Sequence, residues 1–328
     1  MKHGGNVWEG EKPEAWLDFS ANLRPEGTPH WVMDAMREAL CDTRYYPDRA
    51  MTAAKHGLAA YAGVLPEWIL PTAGGAVAID LVLSISRGMV HVPPVTFGEY
   101  AERAQVHGRT VSVWNGECVP GDTVVFCNPN NPTGEAMTRT QVLSLFEYVR
   151  SCGAELIVDE AFVDFCPECS VRRDVQPGLT VVGSLTKTLC IPGVRLGYVC
   201  SAPEKIAELE RRALPWAVSA LASAVAAKLP EHLDEIKEDA AKNEARKEKL
   251  TEALRALGAK VIPSSANFLL ADFGCDMTGA AARLKEKHIL VRTCASFGLP
   301  PCVWRLAVKT EEENARLIAC LEEEFHAR

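Results

Sequence analysis

The segment Ser184-Leu-Thr-Lys-Thr-Leu-Cys-Ile-Pro-Gly-Val-Arg-Leu-Gly-Tyr198 decides the fold of this chain. It follows an apolar run, Leu179 to Val182, that predicts a buried parallel strand. Open α/β sheets bind their ligands at the carboxyl ends of such strands. Lys187 therefore lies where a ligand is expected, and Ser184 and Arg195 are suited to bind a phosphate group.

Apolar runs of strand length alternate with helical patterns between Ile69 and Cys200. This alternation predicts a mostly parallel sheet with helices on both faces. Beyond Cys200 the predicted strands are shorter, among them Ile289 to Val291, and a long charged helix is predicted between Pro230 and Gly258. We therefore predict an α/β protein in three parts: an N-terminal segment, residues 1–45, that contributes to the small domain and the active site; a large ligand-binding domain, residues 46–215; and a small C-terminal α+β domain, residues 216–328.

Composition limits the classes of partner. The chain has 328 residues, of which 48% are hydrophobic and 24% charged, so it can bury a sizeable core. A net charge of −8 argues against a nucleic-acid partner. The longest stretch poor in charge, Ala213 to Ala227, is broken by Pro215 and is shorter than the roughly 20 residues that span a membrane. We expect neither nucleic acid nor a membrane as a partner.

The cysteines and the N-terminal sequence predict the compartment. Residues Met1 to Asn6 contain no apolar signal region, so we expect a cytoplasmic protein whose 12 cysteines are reduced. Cys166 and Cys169 form a C-x-x-C pair. A single pair without a second one at zinc-finger spacing is weak support for a metal site, and we expect no metal.

Residues that could bind a ligand or take part in a reaction also lie at other predicted strand ends. Asp159 ends a buried apolar run, where a carboxylate favours a cationic partner, although a helix cap or a structural ion pair is an equally good interpretation. Asn131 lies in a Pro/Gly-rich turn, and Gly75 and Ala76 open a helix whose amides can bind phosphate. Phe97 can stack on a ring or pack in the core.

Taken together, these strand ends favour pyridoxal 5'-phosphate (PLP) as cofactor. Lys187 would bind it covalently through its ε-amine, and Asp159 would pair with the protonated pyridine nitrogen, which makes the ring an electron sink. Asn131 could donate to the phenolic oxygen of the ring. Each group has an ordinary structural explanation by itself, but the coincidence of a carboxylate, an amide, a phosphate cup and a lysine does not.

The motifs resemble a known family. Four segments resemble fold type I PLP-dependent enzymes, in the branch of the histidinol-phosphate aminotransferases. They are Gly-Gly-Ala, Cys-Asn-Pro-Asn-Asn-Pro-Thr-Gly, Asp-Glu-Ala-Phe-Val-Asp-Phe and the segment that contains Lys187. Within that branch, four further segments resemble the threonine-phosphate decarboxylases of cobalamin biosynthesis: His3-Gly-Gly-Asn6, Asp18-Phe-Ser-Ala-Asn22, Tyr46-Pro-Asp48 and Pro215-Trp216. The resemblance covers essentially the whole chain.

The resemblance implies a role for each matching position. The cofactor would be held by Lys187, Asp159, Asn131, Phe97, Ser184, Arg195, Gly75, Ala76 and, from the partner subunit of a homodimer with shared active sites, Tyr46. Arg305 matches the arginine that binds the substrate carboxylate through a bidentate fork. Arg292 and His3 match ligands of the substrate phosphate.

The resemblance also implies the reaction. The expected substrate is a small phosphorylated amino acid: L-threonine O-3-phosphate, decarboxylated to (R)-1-amino-2-propanol phosphate, or L-serine O-phosphate, decarboxylated to ethanolamine phosphate. Phe162 lacks the hydroxyl that aminotransferases usually place there, and Ser219 replaces an asparagine of the decarboxylase motif. Two alternatives stay open, an aminotransferase of the histidinol-phosphate type and a non-catalytic PLP-binding sensor.

Overall fold

The computed structural model of the chain describes residues 4–8 and 12–326. Within these residues there are thirteen strands. They are β1 (Leu17–Asp18), β2 (Ile69–Thr72), β3 (Val90–Val92), β4 (Val111–Val113), β5 (Thr123–Cys127), β6 (Glu155–Asp159), β7 (Leu179–Ser184), β8 (Gly197–Cys200), β9 (Lys260–Ile262), β10 (Phe268–Asp272), β11 (Ile289–Leu290), β12 (Arg292–Thr293) and β13 (Val303–Ala307).

Ten α-helices lie in the described ranges. They are α1 (His30–Ala39), α2 (Thr52–Ala62), α3 (Gly75–Ser84), α4 (Glu99–Val106), α5 (Arg139–Ser151), α6 (Pro203–Arg212), α7 (Ala220–Lys228), α8 (Leu233–Ala256), α9 (Thr278–Glu286) and α10 (Glu311–His326). The long charged helix predicted between Pro230 and Gly258 is α8. None of the helices in the described ranges is both long enough and apolar enough to cross a bilayer.

The large sheet has seven strands in the order β2-β8-β7-β6-β5-β3-β4. Strands β3 to β7 are parallel to one another, and β8 runs antiparallel to both of its neighbours, β7 and β2. The prediction of an α/β fold with a mostly parallel sheet is confirmed. The carboxyl ends of β2, β3, β5, β6 and β7 and the amino end of β8 therefore lie along one edge.

Successive side chains along each strand point to opposite faces of this sheet, so they pack into two hydrophobic cores, one on each face. Leu156 and Val181 pack in a cluster with residues of α2, α5 and α7. Ile157 and Val182, their sequence neighbours, pack in a second cluster with residues of α3, α4 and α6. The central strands are mostly apolar because both of their faces are covered by helices.

A second, antiparallel sheet has the order β12-β13-β10-β9, and β1 pairs with β11 in a separate parallel ribbon. Leu250 and Leu254 of α8 pack against this region together with residues of α9 and α10. The predicted strand Ile289 to Val291 corresponds to β11, which pairs with β1 of the N-terminal segment, and the next strand, β12, begins at Arg292 and pairs with β13. The division into residues 1–45, 46–215 and 216–328 stays a prediction.

Candidate active site

One cavity lies at the edge where the strand ends of the large sheet converge. Ten of the residues predicted from the sequence line it: Gly75, Ala76, Phe97, Asn131, Asp159, Ser184, Lys187, Arg195, Arg292 and Arg305. The first eight follow or precede strands of the large sheet, and the two arginines come from β12 and β13 of the antiparallel sheet. The cavity thus lies where the two sheets face each other.

The amine of Lys187 lies in a strongly basic, largely desolvated place. Burial lowers the pKa of Lys187 to about 8, and the positive charges of Arg305 and then Arg195 act in the same direction. A lysine with such a pKa is partly neutral near physiological pH. Its amine can therefore react with a carbonyl group or exchange a proton.

Asp159 is a buried carboxylate at the end of β6. Its Oδ2 accepts a 2.6 Å hydrogen bond from the hydroxyl of Tyr100, and its Oδ1 accepts one of 3.0 Å from the amide of Ala161. Burial raises the pKa of Asp159 to about 6, although both hydrogen bonds oppose the rise. No lysine, arginine or histidine in the described part of the chain forms an ion pair with it. The site therefore favours a cationic ligand atom beside this carboxylate.

An anion cup lies at the start of α3. Gly74 precedes the helix with a φ of +89°, and a Cβ at this position would lie 2.5 Å from the guanidinium of Arg195. The first amides of α3, those of Gly75 and Ala76, lie at the positive end of the helix dipole. Ser184 lies beside them, with its Oγ 2.8 Å from Oγ1 of Thr186. This arrangement of amides, hydroxyls and one guanidinium suits a phosphate group.

Arg292 and Arg305 face each other across adjacent antiparallel strands, in direct register. The Nη1 of Arg305 donates to Oδ1 of Asn131, and its Nη2 donates to the carbonyl of Ser20. Both hydrogen bonds are 2.6 Å long. Its buried Nε has no hydrogen-bond partner among the described residues. Burial lowers the pKa of Arg305 to about 10, and nearby Arg292 adds to the shift.

The second arginine is held by the short turn that follows β12. The Nη2 of Arg292 donates a 2.7 Å hydrogen bond to Oγ of Ser296, and its guanidinium lies 5.3 Å from the ring centroid of Phe297. Burial lowers its pKa as well. Two guanidinium groups thus lie on one wall of the cavity, where a ligand with two anionic groups could bind both.

One predicted site residue, Tyr46, is not among the residues that line this cavity. Tyr46 lies on the surface with 80% of its side chain exposed, and its ring centroid is 4.6 Å from that of Trp216. His3 lies outside the described residues. Of the departures from the family motifs, Phe162 lines the cavity and packs edge-on against Phe268, and Ser219 caps α7 by accepting from the amide of Ala222.

Among the lining residues to which the sequence patterns assign no role are Tyr100, Ser20 and Asn22. Tyr100 was placed only in a helix, and its bond to Asp159 has no signature beyond its position three residues after Phe97. Ser20 and Asn22 lie in the quoted segment Asp18 to Asn22, to which no role was given. Asn22 is 2% exposed, and its Oδ1 has no partner within the described residues. Among those residues no group of three or more His, Cys, Asp or Glu side chains could hold a metal ion.

The fold and the lysine site define a fold type I PLP-dependent enzyme. The family model of the class I and II aminotransferases matches residues 14–321, and the chain belongs to that family. PLP is therefore the cofactor, as the resemblance implied. The cavity fits it: the carboxylate of Asp159 lacks a cation, the start of α3 offers an anion cup, and Lys187 has a reactive amine.

Within this family, the chain is similar to both decarboxylases and aminotransferases. The chain is 32% identical to the threonine-phosphate decarboxylase of Salmonella typhimurium, over 97% of this chain and 95% of that protein. It is also 32% identical to a histidinol-phosphate aminotransferase of Mycobacterium bovis, over 90% of this chain and 84% of the relative. The crystal structure of the L-threonine-O-3-phosphate decarboxylase from Porphyromonas gingivalis has a TM-score of 0.85 and 25% identity, with 94% of this chain and 99% of that chain covered.

Proposed function

We propose that this protein decarboxylates an O-phospho-L-amino acid, L-threonine O-3-phosphate or L-serine O-phosphate, to (R)-1-amino-2-propanol phosphate or ethanolamine phosphate. The observation that carries the proposal is the pair Arg292 and Arg305, in register on adjacent strands and facing the cavity of Lys187. A substrate with a carboxylate and a phosphate has one anion for each guanidinium. The relatives named as threonine-phosphate decarboxylases support the same assignment.

The cofactor supplies an electron sink for the pair of electrons released at the substrate's α carbon. This chain's residues hold it in place. Asp159 would keep the pyridine nitrogen protonated, Asn131 would donate to the ring oxygen, and Phe97 would stack on the ring. The phosphate of the cofactor would be bound by Ser184, Arg195, Gly75 and Ala76, with Tyr46 of a second subunit.

Arg305 and Arg292 would orient the substrate. Each Nη of Arg305 uses one N–H for Asn131 or Ser20, so the unpartnered Nε and the second N–H of the neighbouring Nη would form the fork for the α-carboxylate, the group that leaves as CO2. Arg292, with His3, would bind the phosphate. Once CO2 has left, the amine of Lys187 would deliver a proton to the α carbon, a role that suits its lowered pKa.

The surface around Tyr46 supports a homodimer with shared active sites. Tyr45, Tyr46 and Leu214 expose 61%, 80% and 79% of their side chains, and Trp216 lies against Tyr46. Large apolar side chains exposed in this way favour a protein interface. A second copy of the chain would cover this surface and bring Tyr46 to the cofactor phosphate of its partner.

Transamination of histidinol phosphate is the alternative that a specific observation favours, since a histidinol-phosphate aminotransferase matches 90% of the chain. The two reactions share nearly all of the residues named here. They differ in the bond of the α carbon that would be broken: the bond to the carboxylate or the bond to hydrogen. Histidinol phosphate itself has one anionic group, and in that reaction only the second substrate, 2-oxoglutarate, would supply an anion to both arginines.

An assay of products separates these functions. PLP-loaded protein is incubated with phosphothreonine, with phosphoserine, or with histidinol phosphate plus 2-oxoglutarate, and CO2 and glutamate are measured. We expect CO2 and no glutamate, with Lys187→Ala as the inactive control. Glutamate without CO2 would identify an aminotransferase, and neither product would identify a PLP-binding sensor.

A further inference from the structure

Two segments whose roles are not explained by the cofactor contacts meet beside the cavity. The N-terminal residues Gly4 and Gly5 lie against the turn formed by Asp18 to Asn22, and Gly4 lines the cavity. The amide of Gly5 donates a 2.8 Å hydrogen bond to Oγ of Ser20. A Cβ at Gly4 would lie 2.2 Å from the carbonyl oxygen of Ser20, so only glycine permits this approach.

Ser20 is itself held rigidly. Its Oγ donates to Oδ1 of Asp18 over 2.6 Å, and its amide donates to the same oxygen over 2.7 Å. Because the hydroxyl proton is committed to Asp18, the oxygen is oriented to accept from Gly5. The carbonyl of Ser20 accepts from Nη2 of Arg305, and the side chain is 5% exposed.

We infer that Ser20 is a positioning residue that fastens the N-terminal segment against the wall of the cavity. Ser20 makes two contacts in this role. Its carbonyl accepts from the guanidinium of Arg305, and its hydroxyl oxygen accepts from the amide of Gly5, which holds Gly4 and Gly5 in place. The docked segment lines one side of the cavity with Gly4 and would exclude water from it. A segment that is docked in advance need not be ordered when the substrate binds, so docking lowers KM.

Ser20→Ala separates the two contacts. It removes the acceptor for the amide of Gly5 but keeps the backbone carbonyl that Arg305 requires. In the PLP-loaded protein, we expect the peptide that contains Gly5 to take up deuterium about fivefold faster than in the wild type. We expect KM for the phospho-amino acid to rise about 3- to 10-fold, the range of one neutral hydrogen bond, with kcat within about twofold.

Two further variants frame the result. Gly4→Ala keeps the hydroxyl of Ser20 but clashes with its backbone, so it should release the segment in the same way if Ser20→Ala fails to fold. Ser151→Ala removes a hydroxyl at the exposed end of α5 that bonds only to the carbonyl of Tyr148, and it should change neither measurement. Unchanged deuterium uptake in Ser20→Ala would overturn the docking, and faster uptake with an unchanged KM would overturn the positioning role.

The KM measurement rests on the proposed function, but the exchange measurement does not. A protein that releases no CO2 and shows faster exchange in Ser20→Ala would refute the decarboxylase and leave the docking by Ser20 standing. An active decarboxylase without a difference in exchange would do the reverse.

Discussion

The hydroxyl of Tyr100 donates a 2.6 Å hydrogen bond to Oδ2 of Asp159, and both side chains are buried. A hydrogen bond to a carboxylate stabilises its charged form, so this contact opposes the burial that raises the pKa of Asp159 to about 6. The charge of Asp159 is what a protonated pyridine nitrogen requires. In the proposed site, Tyr100 would therefore act on the cofactor through Asp159.

Tyr100→Phe should weaken cofactor binding at the acidic end of the pH range. Without the hydroxyl, the pKa of Asp159 rises further, so the carboxylate becomes neutral at a higher pH and can no longer pair with a cation. A hydrogen bond to a charged group contributes about 1.5–3 kcal/mol, which corresponds to a shift of at least about one pH unit. The measurement is the dissociation constant of PLP from pH 5 to 8.

The matched control for that variant is Tyr148→Phe. The hydroxyl of Tyr148 is on the surface and donates to the carbonyl of Gly116, so its loss should leave the pH profile unchanged. If Tyr100→Phe binds PLP with the wild-type pH profile, the carboxylate does not depend on this hydrogen bond.

Arg305→Gln should shift the uptake of PLP by the apoprotein to higher pH. The positive charge of Arg305 disfavours the ammonium form of Lys187 and contributes to its pKa of about 8. Removing that charge raises the pKa, so the reactive neutral amine appears at higher pH. The rate of PLP uptake is followed by absorbance. In the wild type it should rise with pH around pH 8, and in the variant the same rise should occur at a higher pH.

Arg305→Lys distinguishes charge from geometry. Lysine keeps the positive charge but loses the planar fork, so the pH dependence of PLP uptake should stay near that of the wild type. The turnover of a phospho-amino acid should still fall, because the α-carboxylate loses a bidentate partner. Equal shifts of the uptake profile in both variants would contradict an effect of charge on Lys187.

Gly197→Ala should weaken both the fold and the cofactor site. A Cβ at this position would lie 2.6 Å from the carbonyl carbon of Gly74 and 2.7 Å from the amide nitrogen of Gly75. These are backbone atoms of the anion cup and cannot move aside independently. We expect a loss of about 1–3 kcal/mol in stability and weaker PLP binding, measured by urea unfolding and by titration.

Gly193→Ala is the matched control for Gly197, since a Cβ at Gly193 meets no atom within 4 Å among the described residues. It should be neutral or slightly stabilising. Unimpaired PLP binding by Gly197→Ala would show that the cup tolerates displacement of Gly74 and Gly75.

Hybrid dimers test whether Tyr46 serves the site of the partner. Lys187→Ala and Tyr46→Ala each damage every site of their own dimers. A hybrid of the two carries both changes in one site and none in the other. If subunits exchange freely in an equal mixture, about a quarter of the wild-type activity should return above that of the parents. An activity equal to the average of the two parents would place Tyr46 outside the shared site.

The sequence alone was sufficient to predict the large sheet and eight of the residues that line the cavity. Buried parallel strands appear in a sequence as continuous apolar runs. Because the strands are parallel, their carboxyl ends lie at one edge of the sheet. Residues that directly follow such runs, such as Lys187, Asp159 and Asn131, are therefore brought together by local sequence order. The arginine pair came from the family resemblance, because no local pattern distinguishes Arg292 or Arg305 from other strand residues.

Only the tertiary structure decided the contacts between distant segments. The register of Arg292 with Arg305, the pairing of β11 with β1, and the bond of Tyr100 to Asp159 depend on packing. The contact of Arg305 with Ser20 joins residues 285 positions apart. Periodicity in a sequence reports which face of an element is buried, but not which element covers it. The choice of partner arises from the shape and hydrogen bonding of whole surfaces, which exist only in the folded chain.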